Sequence, residues 1–155
     1  MLTAILLFSF FFSPVEPGSR CVTPGPPLGE LAESSAVFSG KVVGRKYADE
    51  FIEGEGYIGK RLVVEMKIDR VWKGEVGEKV SMFTSEVQLP NGLTSFMSED
   101  FVFEDDQEYL VYAGGKPDRL STSACTRSRR LARAEDDLKD LGESHKPKPM
   151  KRTSP

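Results

Sequence analysis

A chain of 155 residues, 39% apolar and 29% charged, has the composition of one globular domain and is long enough to bury a core. Its net charge of -3 is unevenly spread: Lys146, Lys148, Lys151 and Arg152 against Glu143 put residues 143–155 at +3 and residues 1–142 at -6. An acidic body excludes the ordinary nucleic-acid binder, whose affinity comes mainly from neutralised phosphates.

Residues 1–13, MLTAILLFSFFFS, form an apolar run of signal-peptide length. The run is well short of the roughly 20 residues that a spanning helix needs. Residues 1–18 are therefore expected to be a signal peptide, cleaved between Ser13 and Arg20. That gives no stable membrane span and an extracytoplasmic address, secreted or in the cell envelope. Cys21 and Cys125 are the two cysteines, so a single pairing is available. In an oxidising compartment they are expected to close a loop of about 100 residues, stabilising by up to ~4.7 kcal/mol in the chain-entropy picture.

Residues 15–27 are rich in Pro and Gly and read as an extended arm with Cys21 in its middle. Pro26 and Pro27 suit the start of a short helix with Leu28, Leu31 and Ala32 on one side. Residues 36–47 form the first strand, where Gly40 and Gly44 permit a bend or a close backbone approach. Residues 48–60 read as a glycine-rich loop carrying Phe51, Ile52, Tyr57 and Ile58. Four large apolar side chains there make either a hairpin extension folded onto the body or a contact surface.

In the next strand, Val64, Met66 and Ile68 alternate with Glu65, Lys67 and Asp69, a period of two. After Ile68 the phase slips to Val71 and Trp72, which predicts a bulge in a long, bent strand. Residues 79–85 continue the sheet with Val80, Met82 and Thr84 on one face, and Pro90-Asn91-Gly92 is a turn. Asp105-Asp106-Gln107 turns into residues 109–113, YLVYA, whose unbroken apolar character predicts cover on both faces. Gly114-Gly115 and Lys116-Pro117 turn the chain into a short last strand at 120–123. Ser128 is expected to cap a helix over 129–141, with Leu131, Ala134, Leu138 and Leu141 at helical spacing and Gly142 as the stop. Residues 143–155 lack apolar periodicity and are expected to be a disordered basic tail. The expected fold class is all-β with short flanking helices, a monomeric five-stranded OB-like barrel.

Signals for catalysis are sparse. His145 is the single histidine and lies in the tail, so no Ser-His or Cys-His pair and no four-ligand zinc site can be assembled in the body. Glu99, Asp100, Glu104, Asp105, Asp106 and Glu108 lack the spacing of a calcium loop and read as a solvated hairpin edge. No catalytic residue, metal or cofactor is expected. Arg127, Arg129, Arg130 and Arg133 would sit at the start of the last helix, an unfavourable end for cations. They read either as a salt-bridged face near the acidic loops or as a site for an anionic partner.

The arm with Cys21, VWKG at 71–74, YLVY at 109–112 and CTRS at 125–128 carry a resemblance when taken together. In that order they resemble the bacterial branch of the tissue-inhibitor-of-metalloproteinases family, within the netrin-like group. The resemblance covers about residues 19–142 and implies a netrin-like OB domain there, exported and binding protein rather than catalysing a reaction. In the animal inhibitors, the first residue of a Cys-x-Cys arm chelates the catalytic zinc of a metalloprotease. Carried onto this chain, the inhibitory arm is Ser19, Arg20, Cys21, Val22 and Pro24. Ser19 stands where the first family cysteine would be and Glu99 where its partner would be, so one family bridge is lost and Cys21–Cys125 is kept. The implied function is a secreted metalloendopeptidase inhibitor whose protein partner is a zinc metalloprotease, with Phe51, Ile52, Tyr57 and Ile58 as a flanking contact loop. The alternative is a non-inhibitory extracellular or envelope binding module that uses the barrel face or the arginine cluster.

Overall fold

Val64, Met66 and Ile68, alternating with charged neighbours, give the chain a strand with one wet and one dry face, and the sheet grows outward from it. The computed structural model describes residues 21–52 and 56–149. In chain order the elements are α1 (Pro27–Glu33), β1 (Ala36–Ile52), β2 (Tyr57–Lys73), β3 (Lys79–Gln88) and β4 (Thr94–Ser95). They are followed by β5 (Glu108–Lys116), β6 (Arg119–Ser121), β7 (Arg129–Arg130), a 3-10 turn (Leu131–Arg133) and α2 (Glu135–Leu141). Five strands close into a ring, in the order β1-β2-β3-β6-β5 and back to β1. All the ring's pairings are antiparallel except β3 with β6, which meet in parallel at Met82 and Leu120. The expected all-β class with short flanking helices is what the chain adopts.

The phase slip after Ile68 is a bulge. Ser39 pairs with Arg70 and Gly40 with Ile68, so Asp69 is the extra residue, and Val71 returns to the inner face opposite Phe38. A second extra residue, Val43, falls between Val42 and Gly44 on β1. Such bulges bend strands and increase their twist, which a five-stranded ring requires. Gly40 is needed at the bend, because a Cβ there would lie 2.8 Å from the Lys67 carbonyl oxygen and 2.9 Å from Ile68 Cδ1.

Two apolar layers result. Inside the ring lie Phe38, Val64, Met66, Met82, Tyr109 and Val111 with their neighbours. Outside it, Val37, Leu110 and Tyr112 pack against Ala134 and Leu141, with Leu31, Trp72 and Leu138 at the margin. Alternate residues of β5 thus feed different layers, and residues 109–113 are buried throughout, as their composition predicts.

Four sequence expectations change. Residues 48–52 and 57–60 are strand rather than loop: β1 and β2 continue as a registered hairpin out to the Ile52–Tyr57 pair. Hydrogen bonding between the strands outweighed the glycines that read as loop. The helix expected over 129–141 starts six residues later, at Glu135. Arg129 and Arg130 instead pair with Leu110 and Tyr109. Ser128 is not a helix cap, since its hydroxyl accepts the Tyr112 N–H at 2.9 Å. The dipole explains the shift: the first turn of α2 carries Glu135, Asp136 and Asp137, where anions are favoured. Leu28 faces solvent, 57% exposed, and only Leu31 of its trio packs on the outer layer. Finally, residues 143–149 of the tail expected to be disordered lie along the sheet. His145 exchanges two 2.9 Å backbone hydrogen bonds with Val71, and the Lys148 N–H donates to the Val76 carbonyl at 3.0 Å. Residues 150–155, and the expected signal peptide of residues 1–18, are outside the described residues.

Candidate functional site

The arm is anchored at its described end by covalent and polar ties. Cys21 is bridged to Cys125, 104 residues later, with 5.0 Å between their Cα atoms. Four residues on, the Gly25 carbonyl accepts a 2.9 Å hydrogen bond from Arg127 Nη1, and the Gly25 N–H donates to Glu30 Oε1 at 3.0 Å. Between these ties Val22 is 86% exposed, while Pro24 is half-buried. Ser19 and Arg20 fall outside the described residues.

Arg127 is the hub behind the arm. Its Nε and Nη2 donate to the two Asp137 oxygens at 2.8 and 2.6 Å. Tyr112 Oη donates to Asp137 Oδ2 at 3.0 Å, and Arg129 adds charge at 3.8 Å. Asp137 is 1% exposed. Burial pushes its carboxyl up, but the hydrogen bonds from Arg127 and Tyr112 and the two arginine charges outweigh that and hold it below the ordinary value. Burial and the bond to Asp137 raise the Tyr112 phenol strongly, while Asp137 keeps Arg127 firmly charged. Arg130 pairs with Glu104. Three members of the arginine cluster are therefore engaged with acids, and the principal acid lies on α2 rather than on the loops the sequence pointed to. Sequence reading missed Asp137 because one aspartate in the run EDD is indistinguishable until packing buries it.

The segment that carries Glu99 runs beside the bridged loop. The Ala124 N–H donates to the Glu99 carbonyl at 2.8 Å, and Asp100 pairs with Ser123. Backbone hydrogen bonds thus tie 99–100 to 123–124, next to bridged Cys125. Asp100 also receives Ser85 N–H at 3.1 Å and the Ser85 hydroxyl. A groove of about 550 Å³ opens here, with Phe83, Met97, Lys116, Arg119 and Ser123 in its walls. In the same stretch of chain, Leu93, Phe96, Met97 and Val102 are each at least 64% exposed, and of these Met97 lines the groove. Two other members of the acidic cluster pair with cations, Asp105 with Arg45 at 2.6 Å and Asp106 with Lys41 at 3.0 Å. Among the described residues no acid, histidine or cysteine cluster has the arrangement of a metal site.

The hairpin is a separate feature. Phe51 and Ile58 are directly opposed and 61% and 63% exposed. Ile52 and Tyr57 form the last registered pair before the turn. One register step from Phe51, Glu50 is held by Arg61 and Arg119. The hydrogen bond from Arg61 is the largest influence keeping the Glu50 carboxyl below its ordinary value. No described helix is long and apolar enough to cross a membrane. A scan against protein-family models finds none that matches, and a search of curated proteins finds no similar sequence.

Proposed function

We propose that this chain is an extracytoplasmic protein-binding domain with a netrin-like OB barrel as its frame, acting as a metalloendopeptidase inhibitor through its N-terminal arm. The observation that carries the reading is Val22, 86% exposed one residue after Cys21 is locked to Cys125. An apolar side chain held out on a braced arm loses little freedom when a partner covers it, so the arm is pre-organised for insertion into a cleft. The disulfide fits an oxidising compartment. A mature chain beginning at Ser19 would place a free amine two residues before the bridge, with no enzyme chemistry required of the domain itself.

The test is hydrolysis of a fluorogenic peptide by a zinc endopeptidase, with the exported protein added. Slowed hydrolysis, lost in Val22→Asp and in a chain extended by one residue before Ser19, supports the arm. A second reading, a binding module without inhibition, draws on the exposed Leu93, Phe96, Met97 and Val102 of the 93–102 segment. Binding to the endopeptidase without inhibition, abolished by Phe96→Ser and Met97→Ser but not by Val22→Asp, would favour it.

A further inference from the structure

The hairpin formed by β1 and β2 reaches beyond the ring with one edge open. On the side of β1 away from β2, the pairing with β5 ends at Lys41, and Val42 N–H donates to the Gln107 carbonyl at 3.0 Å. From Val43 to Phe51 no described strand pairs with that edge. An open edge is a template for another strand, and this one carries exposed apolar groups: Val43 at 51%, Tyr47 at 47% and Phe51 at 61%, with Ile58 at 63% opposite Phe51.

We propose that this edge pairs with the same edge of a second copy, antiparallel, about a two-fold axis at Tyr47. A two-fold that joins antiparallel edges stands perpendicular to the sheet and keeps its faces, so opposed residues must have the same parity. That leaves few registers. An axis at Lys46 opposes two lysines, and one at Asp49 opposes two aspartates, which costs stability. An axis at Ala48 sets Tyr47 against Asp49 and Arg45 against Phe51 of the second copy, and unites no apolar pair. The axis at Tyr47 sets Tyr47 on Tyr47 and Arg45 against Asp49 of the second copy, and brings the bulged Val43 to the end of the pairing near Phe51 of that copy. Lys46 then lies diagonal to Glu50 of that copy. Aromatic and charged groups are each matched with a favourable partner.

The surrounding contacts allow it. No described ion pair engages Asp49, and Arg45, whose Nε holds Asp105 at 2.6 Å and whose Nη2 donates to the Phe103 carbonyl, keeps Nη1 for a second carboxylate. Tyr47 Oη donates to Glu86, which fixes the ring on the face it shares with Phe51 and Ile58. That face leads inward through Leu62 to the buried Val64, so pairing would extend the dry side of the sheet across two molecules. The inference is independent of the arm and of any protease, and it departs from the expectation of a monomer.

The experiment is sedimentation velocity of the exported full chain from about 5 µM to about 500 µM, a range that spans weak edge pairing. A mass of two chains at the upper end is expected. Asp49→Arg, which sets it against Arg45, should weaken association at least about tenfold, and the exchange Arg45→Asp with Asp49→Arg should restore most of it. Circular dichroism checks that each variant is folded. As a measurement that does not depend on Arg45, Tyr47→Cys should cross-link to itself under mild oxidation, since opposed Cα atoms lie ~4.5–5.5 Å apart. Lys60→Cys, on the opposite strand of the hairpin, should not. A monomer across the whole range, a dimer indifferent to Asp49→Arg, or equal cross-linking at 47 and 60 would overturn the proposal.

Discussion

β5 and the outer half of the hairpin belong to one sheet yet live in opposite surroundings. Along β5, Tyr109, Leu110, Val111, Tyr112 and Ala113 are all 2% exposed or less, because the ring interior lies on one side and α2 on the other. Along the hairpin, Tyr47, Phe51 and Ile58 are 47–63% exposed, with a bare edge beside them. The same period of two builds both. What differs is whether a second layer arrives, and the second layer is held in place by the Tyr112–Asp137–Arg127 network rather than by helix propensity. The lesson is that stability in this domain is concentrated around β5, while its exposed apolar side chains lie on the hairpin, on the arm and α1, and on residues 93–102.

Removing the network's acid should have the largest effect. Asp137→Ala leaves Arg127 partly buried without its carboxylate and is expected to cost about 3–5 kcal/mol in urea unfolding. The arm should loosen with it, read as faster protease cleavage near Gly25. Leu110→Ala, in the outer layer, should cost about 2–5 kcal/mol. The matched change on the hairpin, Phe51→Ser, should fall within about 0.5 kcal/mol for the single chain. If Leu110→Ala and Phe51→Ser prove equally costly, the contrast between the two regions is wrong.

Acid provides a graded test. The Asp137 carboxyl titrates below its ordinary value of 3.8, so its contribution is complete above that value in the unfolded chain. The contribution is lost as pH falls through the lower folded-state value. Thermal midpoints should therefore drop more steeply below about pH 4 in the native protein than in Asp137→Asn. Tyr112→Phe, which removes one bond to the same carboxylate, should have the smallest effect on the network, about 1 kcal/mol.

How much of this was legible depends on whether side chains or backbone carried the information. The slip from Ile68 to Val71 foretold the bulge at Asp69, because a side chain that changes faces leaves a mark in the sequence. YLVYA foretold double cover for the same reason. The hairpin's length was hidden because Gly54, Gly56 and Gly59 resemble loop residues, while backbone pairing of β1 with β2 cares little for them. The pairing of His145 with Val71 left no trace either, since main-chain hydrogen bonds can form with almost any residue. In the arm, Cys21 and Cys125 announced their bridge by being the only pair available. Arg127 was visible as one of a cluster, but its reach to Gly25 depends on α2 beginning at Glu135, six residues later than helical spacing placed it.

The bridge also sets an order of events during synthesis. Cys21 waits for a partner made 104 residues later, and β1 waits for β5 to close the ring. At about 5–20 residues per second, the arm is free for roughly 5–20 s after it is made, while the β1–β2 hairpin already has both its strands. A chaperone or oxidant acting on the nascent chain would therefore meet the hairpin's bare edge before it meets a finished arm.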